Sequence, residues 1–137
     1  LKVLLSHIDE EHQYISAHIC NGYVVEKKHN YRAYDYTNAL YHDETINTYV
    51  HYPYEKTGLI ECAFSGAVFL CSKKLYKNSM FNYDPMGEDF VFCDGIRKLG
   101  YKIYCAADHK LLHLMDDEML EEYKSKIETR QIGENVI

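Results

Sequence analysis

The chain has 137 residues, a formal net charge of −6, five cysteines, and 14 tyrosines without a single tryptophan. That length suits one domain with a real hydrophobic core, and the acidic balance excludes the clustered Lys and Arg footprint that nucleic acid requires. No uncharged stretch approaches the ~20 residues of a membrane span, and the start carries no signal-peptide pattern.

In chain order, Leu1, Leu4, Leu5 and Ile8 form a helical stripe with Asp9-Glu10-Glu11 on its polar side, which predicts a short amphipathic helix ending near His12. Tyr14 to Cys20 is mostly apolar and reads as a strand interior to a sheet. Asn21-Gly22 signals a turn, and Tyr23-Val24-Val25 a second short strand. From residue 26 to 58 tyrosines and histidines alternate with Asp and Asn, and neither a helical nor a strand period persists. Such a segment is either an irregular insertion or a surface of stacking faces and polar tips suited to a sugar ring.

Order returns with Leu59 to Phe64 and Ala67 to Cys71, two apolar runs hinged at Ser65-Gly66. That glycine either lets a ligand approach the backbone or relieves a bulge. Ser72 is placed to cap a short helix through Tyr76, and Asp84-Pro85 favours a turn. Gly87-Glu88-Asp89 then opens an apolar-periodic helix in which Phe92, Ile96 and Leu99 share a face, stopped by Gly100. Glu88 and Asp89 suit a helix N-terminus, so they read either as caps or as chemistry presented at a sheet edge. Tyr101 to Ala106 follows as a strand, Asp108-His109 as a turn, and Lys110 to Met115 as another strand bearing His113. A final helix is expected over 116–130, with Asp116 as its cap and Met115, Met119, Tyr123 and Ile127 along one face.

The cysteines Cys20, Cys62, Cys71, Cys93 and Cys105 are odd in number, lack any C-x-x-C pair and lie mostly in apolar runs. They read as reduced and structural, which points to a cytoplasmic setting.

Taken as an ordered set, these motifs resemble the C-terminal part of a glycosyltransferase catalytic domain of the GT-A fold, closest to family 2 glycosyltransferases. The carriers are Ile60 to Leu70 as a strand-glycine-strand, Gly87-Glu88-Asp89 with the helix and strand through Tyr104, and His113 at the end of the next strand. The resemblance extends over residues 1–137 as a single domain, with 26–58 as its variable Tyr/His-rich segment. It implies an α/β fold: a partial GT-A mixed sheet flanked by helices, without the N-terminal nucleotide-binding half. No D-x-D occurs; the nearest acidic clusters are Asp9-Glu10-Glu11 and Asp116-Asp117-Glu118. The chain begins with Leu1 inside a helix-like pattern, so a fragment inactive by itself is expected.

The resemblance implies inverting transfer of a sugar from a nucleotide-sugar donor to a carbohydrate or other hydroxyl acceptor. Asp89 would be the general base, a role worth roughly 10²–10⁴-fold, with Glu88 binding the acceptor or positioning Asp89. Ser65, Gly66 and Gly87 would line the substrate, and His113 would ligate Mn²⁺ or Mg²⁺ at the leaving diphosphate. Two other classes remain open from the residues: a non-catalytic carbohydrate- or protein-binding fragment, and a metal-dependent hydrolase using some of the eight histidines. Taken alone, His113 among leucines also reads as a core histidine.

Overall fold

Seven consecutive buried residues, Tyr14–Cys20, form strand β1 at the centre of the molecule. The structure, a computed structural model, describes residues 1–20, 37–79, 84, 85 and 87–113, with positions 117, 120, 121, 124 and 125 beyond them. A strand buried on both faces needs mostly apolar side chains, and Tyr-Ile-Ser-Ala-His-Ile-Cys supplies them, with His18 as its one ionisable imidazole. The other strands are β2 (Leu40–Asp43), β3 (Thr48–His51), β4 (Leu59–Cys62), β5 (Phe69–Cys71) and β6 (Ile103–Leu112). The main sheet has the order β4-β6-β1-β5, with β1 and β6 parallel and the remaining neighbours antiparallel; β2 and β3 form a separate hairpin. The chain is therefore α/β with a mixed sheet and flanking helices.

Alternation along β1 divides the core. Tyr14 packs on one face with Ile60, Leu75, Phe92, Cys93, Ile96 and Ile103, the face covered by helices α2 (Lys73–Asn78) and α3 (Glu88–Lys98). Ile15, Ala17 and Ile19 face the other side, against Leu4, Tyr104 and Ala106. Ser72 caps α2, its side chain accepting the Leu75 N–H as its sequence position predicts. Helix α3 ends as predicted at Gly100, whose φ of 86° no β-carbon-bearing residue adopts easily. The Gly100 N–H bonds Arg97 O and the Tyr101 N–H bonds Ile96 O, which is a Schellman closure.

Several expectations are corrected. The first helix, α1, spans only Lys2–Leu5, because the Asp9 carboxylate takes the N–H groups of Glu11 and His12 and turns the chain instead. Of its stripe only Leu4 is buried, and Leu1 and Leu5 stand exposed; Leu99 is likewise exposed. Asp108-His109 is no turn between two strands. β6 runs straight through it, with a register shift against β1 in which His18 pairs Lys110 one step after Ala17 pairs Ala106. The extra residues bulge out, and the Asp108 carboxylate accepts the Gly58 N–H.

Within the Tyr/His-rich segment residues 37–58 are described, and Leu40–His51 form a hairpin rather than an irregular loop. Tyr41 pairs Val50 and His42 pairs Tyr49 across it. The strand period is hidden in sequence because Tyr and His serve both faces. The strand expected at Tyr23–Val25 lies outside the described residues. So does most of the final helix with its Asp116 cap, although Asp117, Leu120, Glu121, Lys124 and Ser125 are helical. Among the described residues no helix is long and apolar enough to cross a membrane.

Candidate functional site

β4 and β5 are the two edge strands of the main sheet, so residues 63–68 must carry the chain past β6 and β1, and Ser65–Val68 form a tight turn against β1. That turn is anchored at every residue. Ser65 is fully buried; its carbonyl accepts from the Tyr14 hydroxyl and from Cys93 Sγ at 3.2 Å, and its hydroxyl lies 2.6 Å from Ser16 Oγ. The Gly66 carbonyl accepts from Val68 N and from Asn38 Nδ2, each at 2.9 Å, and the Val68 carbonyl accepts the Ala17 N–H at 2.9 Å. Ala67 sits at φ 65° inside an i to i+2 hydrogen bond. This is the rare, strained form of γ-turn, and strain in a non-glycine residue concentrates where structure serves function.

Asp89, in the first turn of α3, reaches back onto this turn. A β-carbon at position 66 would stand 2.7 Å from Asp89 Cβ and closer still to its carboxyl, so glycine is required there by the carboxylate rather than by the backbone angle. The Ala67 N–H, beside Gly66, is close enough to the carboxylate to stabilise its charge. Burial lifts the Asp89 carboxyl above the usual carboxylate range, the Ala67 N–H pulls it partway back, and the neighbouring Glu88 charge adds to the rise. Asp89 is thus half-buried and more basic than a surface aspartate. Glu88 is exposed.

Of the other predicted site residues, Ser65 belongs to the wall of the turn. Gly87, at φ 99°, opens α3 without a side-chain cap, and a β-carbon there would meet nothing, so its role is conformational. His113 lies just past the end of β6, is exposed, and donates its backbone N–H to Cys20 O at 3.1 Å. It is therefore not a core histidine. Gly66 is tied to β1 near Ala17 and His113 near Cys20, so about 10 Å of strand separates the two anchor points. They share one end of the sheet without touching along β1. Among the described residues no three His, Cys, Asp or Glu side chains come together as a metal-holding group.

A second feature flanks the carboxylate. Tyr49 of the hairpin, Phe64 before the turn and Phe90 after Asp89 meet edge to face, with ring centroids 5.3–5.8 Å apart. All three are half-buried. Sequence reasoning anticipated Gly66, Glu88 and Asp89 but missed Tyr14, Ser16, Asn38 and Ala67, whose partners are distant in the chain. Scanned against models of protein families the chain matches none, and no curated protein matches it either.

Proposed function

We propose that this chain carries the acceptor side of a GT-A-type glycosyltransferase, in which Asp89 is the general base for an acceptor hydroxyl. The supporting observation is the seat of Asp89: a half-buried carboxylate of raised basicity, held against a strained turn at the end of a sheet. Transfer with inversion needs one group to accept the hydroxyl proton while the oxygen attacks the anomeric carbon of a nucleotide sugar. Asp89 supplies that acceptor, and a carboxyl lifted by burial holds the proton better than a surface aspartate would. Glu88, exposed beside it, is placed to bind acceptor hydroxyls, and the backbone of Gly66 and Gly87 offers close approach. The rings of Tyr49, Phe64 and Phe90 provide apolar faces for a sugar ring, which favours a carbohydrate acceptor. His113 enters as a single candidate ligand for Mn²⁺ or Mg²⁺.

The test is product formation. The full-length protein is incubated with a panel of nucleotide sugars and hydroxyl acceptors, and acceptor-dependent glycoside is separated from free sugar by mass. Asp89→Asn is expected to lower transfer about 10²–10⁴-fold while nucleotide-sugar binding persists. Undiminished transfer by that variant, or release of free sugar regardless of acceptor, sinks the proposal. A second reading, carbohydrate binding without chemistry, draws on the same aromatic rings. It predicts saccharide-dependent shifts of the Tyr49 and Phe90 signals and no product with any donor.

A further inference from the structure

Asn38 lies in the segment whose sequence shows no regular period, yet its side chain makes three hydrogen bonds. Its Oδ1 accepts the Ile19 N–H at 2.7 Å, and its Nδ2 donates to Ala17 O and to Gly66 O, both at 2.9 Å. One N–H and two carbonyls as partners settle the orientation of the amide. The backbone joins in, Asn38 N donating to Ile19 O at 3.1 Å. The side chain therefore ties β1 to the turn under Asp89.

The Gly66 carbonyl that Asn38 holds and the Ala67 N–H that meets Asp89 belong to one planar peptide unit, pointing in opposite directions. A flip of that unit would relax Ala67 from φ 65° and swing its N–H away from the carboxylate. The Val68 N–H alone does not prevent this, since it closes only the local turn. Asn38 reaches the same carbonyl oxygen from the segment bridged to the end of β1 and fixes its direction in space. A hydrogen bond on a carbonyl also polarises the peptide and strengthens the N–H at its far side.

We infer that Asn38 is a positioning residue for Asp89, acting through the peptide unit between Gly66 and Ala67. The segment 37–52 is then a clamp on the reacting carboxylate as well as a source of aromatic surface. The structural part of this inference is independent of the reaction; only its effect on rate rests on the reading of Asp89 as base.

The experiment follows the Asp89 carboxyl by carbon-detected NMR titration of the full chain. Asn38→Ala is expected to raise the Asp89 midpoint, because the Ala67 N–H that lowers it turns away, and to remove the pH response of the Ala67 amide. Adding Ala67→Gly to Asn38→Ala should restore both, since glycine has no penalty at positive φ. Thr37→Val is the control: it deletes the bond from Thr37 Oγ1 to Tyr52 O in the same segment and should lower thermal stability while leaving Asp89 unmoved. Should Asn38→Ala fail to fold, Asn38→Ser, too short to reach Gly66 O, carries the same expectation. A parental midpoint in these variants, or an equal shift in Thr37→Val, overturns the inference. Where transfer is detected, Asn38→Ala should lower kcat about tenfold with KM nearly unchanged. A shifted titration with no transfer by the full-length protein keeps the Asn38 link and refutes the glycosyltransferase reading. Transfer that needs Asp89 but ignores Asn38 in both rate and titration does the reverse.

Discussion

Gly66→Ala isolates the steric claim at the site. The φ of Gly66 is outside the left-handed region, so alanine is allowed by the backbone and the whole penalty comes from Asp89. A β-carbon 2.1 Å from Asp89 Cγ forces the carboxyl off its rotamer, costing about 0.5–1.5 kcal/mol, and its 2.7 Å approach to Asp89 Cβ also requires the backbone to shift. Loss of the Ala67 N–H to a charged acceptor adds ~1.5–3 kcal/mol, less whatever solvent returns to a half-exposed group. The sum is about 2–3 kcal/mol of stability. Gly95→Ala in the middle of α3 is the internal control. A β-carbon there meets Ser79 at an ordinary 3.5 Å, so that variant should gain about 0.5–1 kcal/mol from helix propensity. Urea unfolding of both, and of Gly66→Ala combined with Asp89→Gly, reads the result. The double variant should recover most of the loss, as a coupling energy of at least ~1 kcal/mol. Strict additivity, or a Gly66→Ala protein as stable as the parent, would refute the geometry of the site.

Asp89→Asn should stabilise the fold at neutral pH, by about 0.5–1 kcal/mol once solvent screening of a half-exposed group is allowed for. Its folded carboxyl is raised, so ionisation opposes folding and the parent loses stability as pH rises through the carboxylate range. The advantage must vanish near pH 3, and urea midpoints at pH 3 and 7 check it. His18 carries the opposite slope. Burial first, and then the Lys110 ammonium, hold its imidazole down to about 4. Lys110 Nζ lies 3.2 Å from Nδ1, and the buried Nε2 finds no hydrogen-bond partner. Protonation is disfavoured in the fold, so this contribution is full above pH 6.5 and lost as pH falls toward about 4, by up to ~3 kcal/mol. A midpoint series in His18→Leu should lack that segment of the slope. All five cysteines are free, and only Cys71 is less than fully buried. Native protein should release one slow thiol to a disulfide reagent and all five after denaturation; rapid release of several would contradict the packing.

Elements defined by local chemistry were legible in the sequence. Helix α3 announces itself by a 3.6-residue period and by a glycine that must be left-handed. β1 announces itself by an apolar run too short for a helix. The hairpin was not legible, because Tyr41, Tyr49 and His42 are amphipathic and erase the contrast on which a two-residue period depends. The bulge at Asp108 was mistaken for a turn because Asp-His carries turn chemistry, and only Gly58, 50 residues away, shows what the carboxylate binds. Within the site, Gly66 and Asp89 stood out as residue types placed in order, whereas Asn38 and Ala67 did not. Their importance lies in partners 21 residues back or in a torsion angle, and neither leaves a mark on composition.

The parallel pairing of β1 with β6 has a consequence during synthesis. Ile15 lies opposite Tyr104, so the most deeply buried strand of the molecule has to await a partner roughly 90 residues downstream. At 5–20 residues per second that is about 5–20 s in which Tyr14–Cys20 is already outside the ribosome without its neighbour. The antiparallel β5 arrives earlier but covers only Tyr14 to Ser16. For most of that interval Ala17 to Cys20 is an unpaired apolar strand. The nascent chain is therefore most exposed to aggregation, and most in need of a chaperone, before Asp89 has even been joined to it.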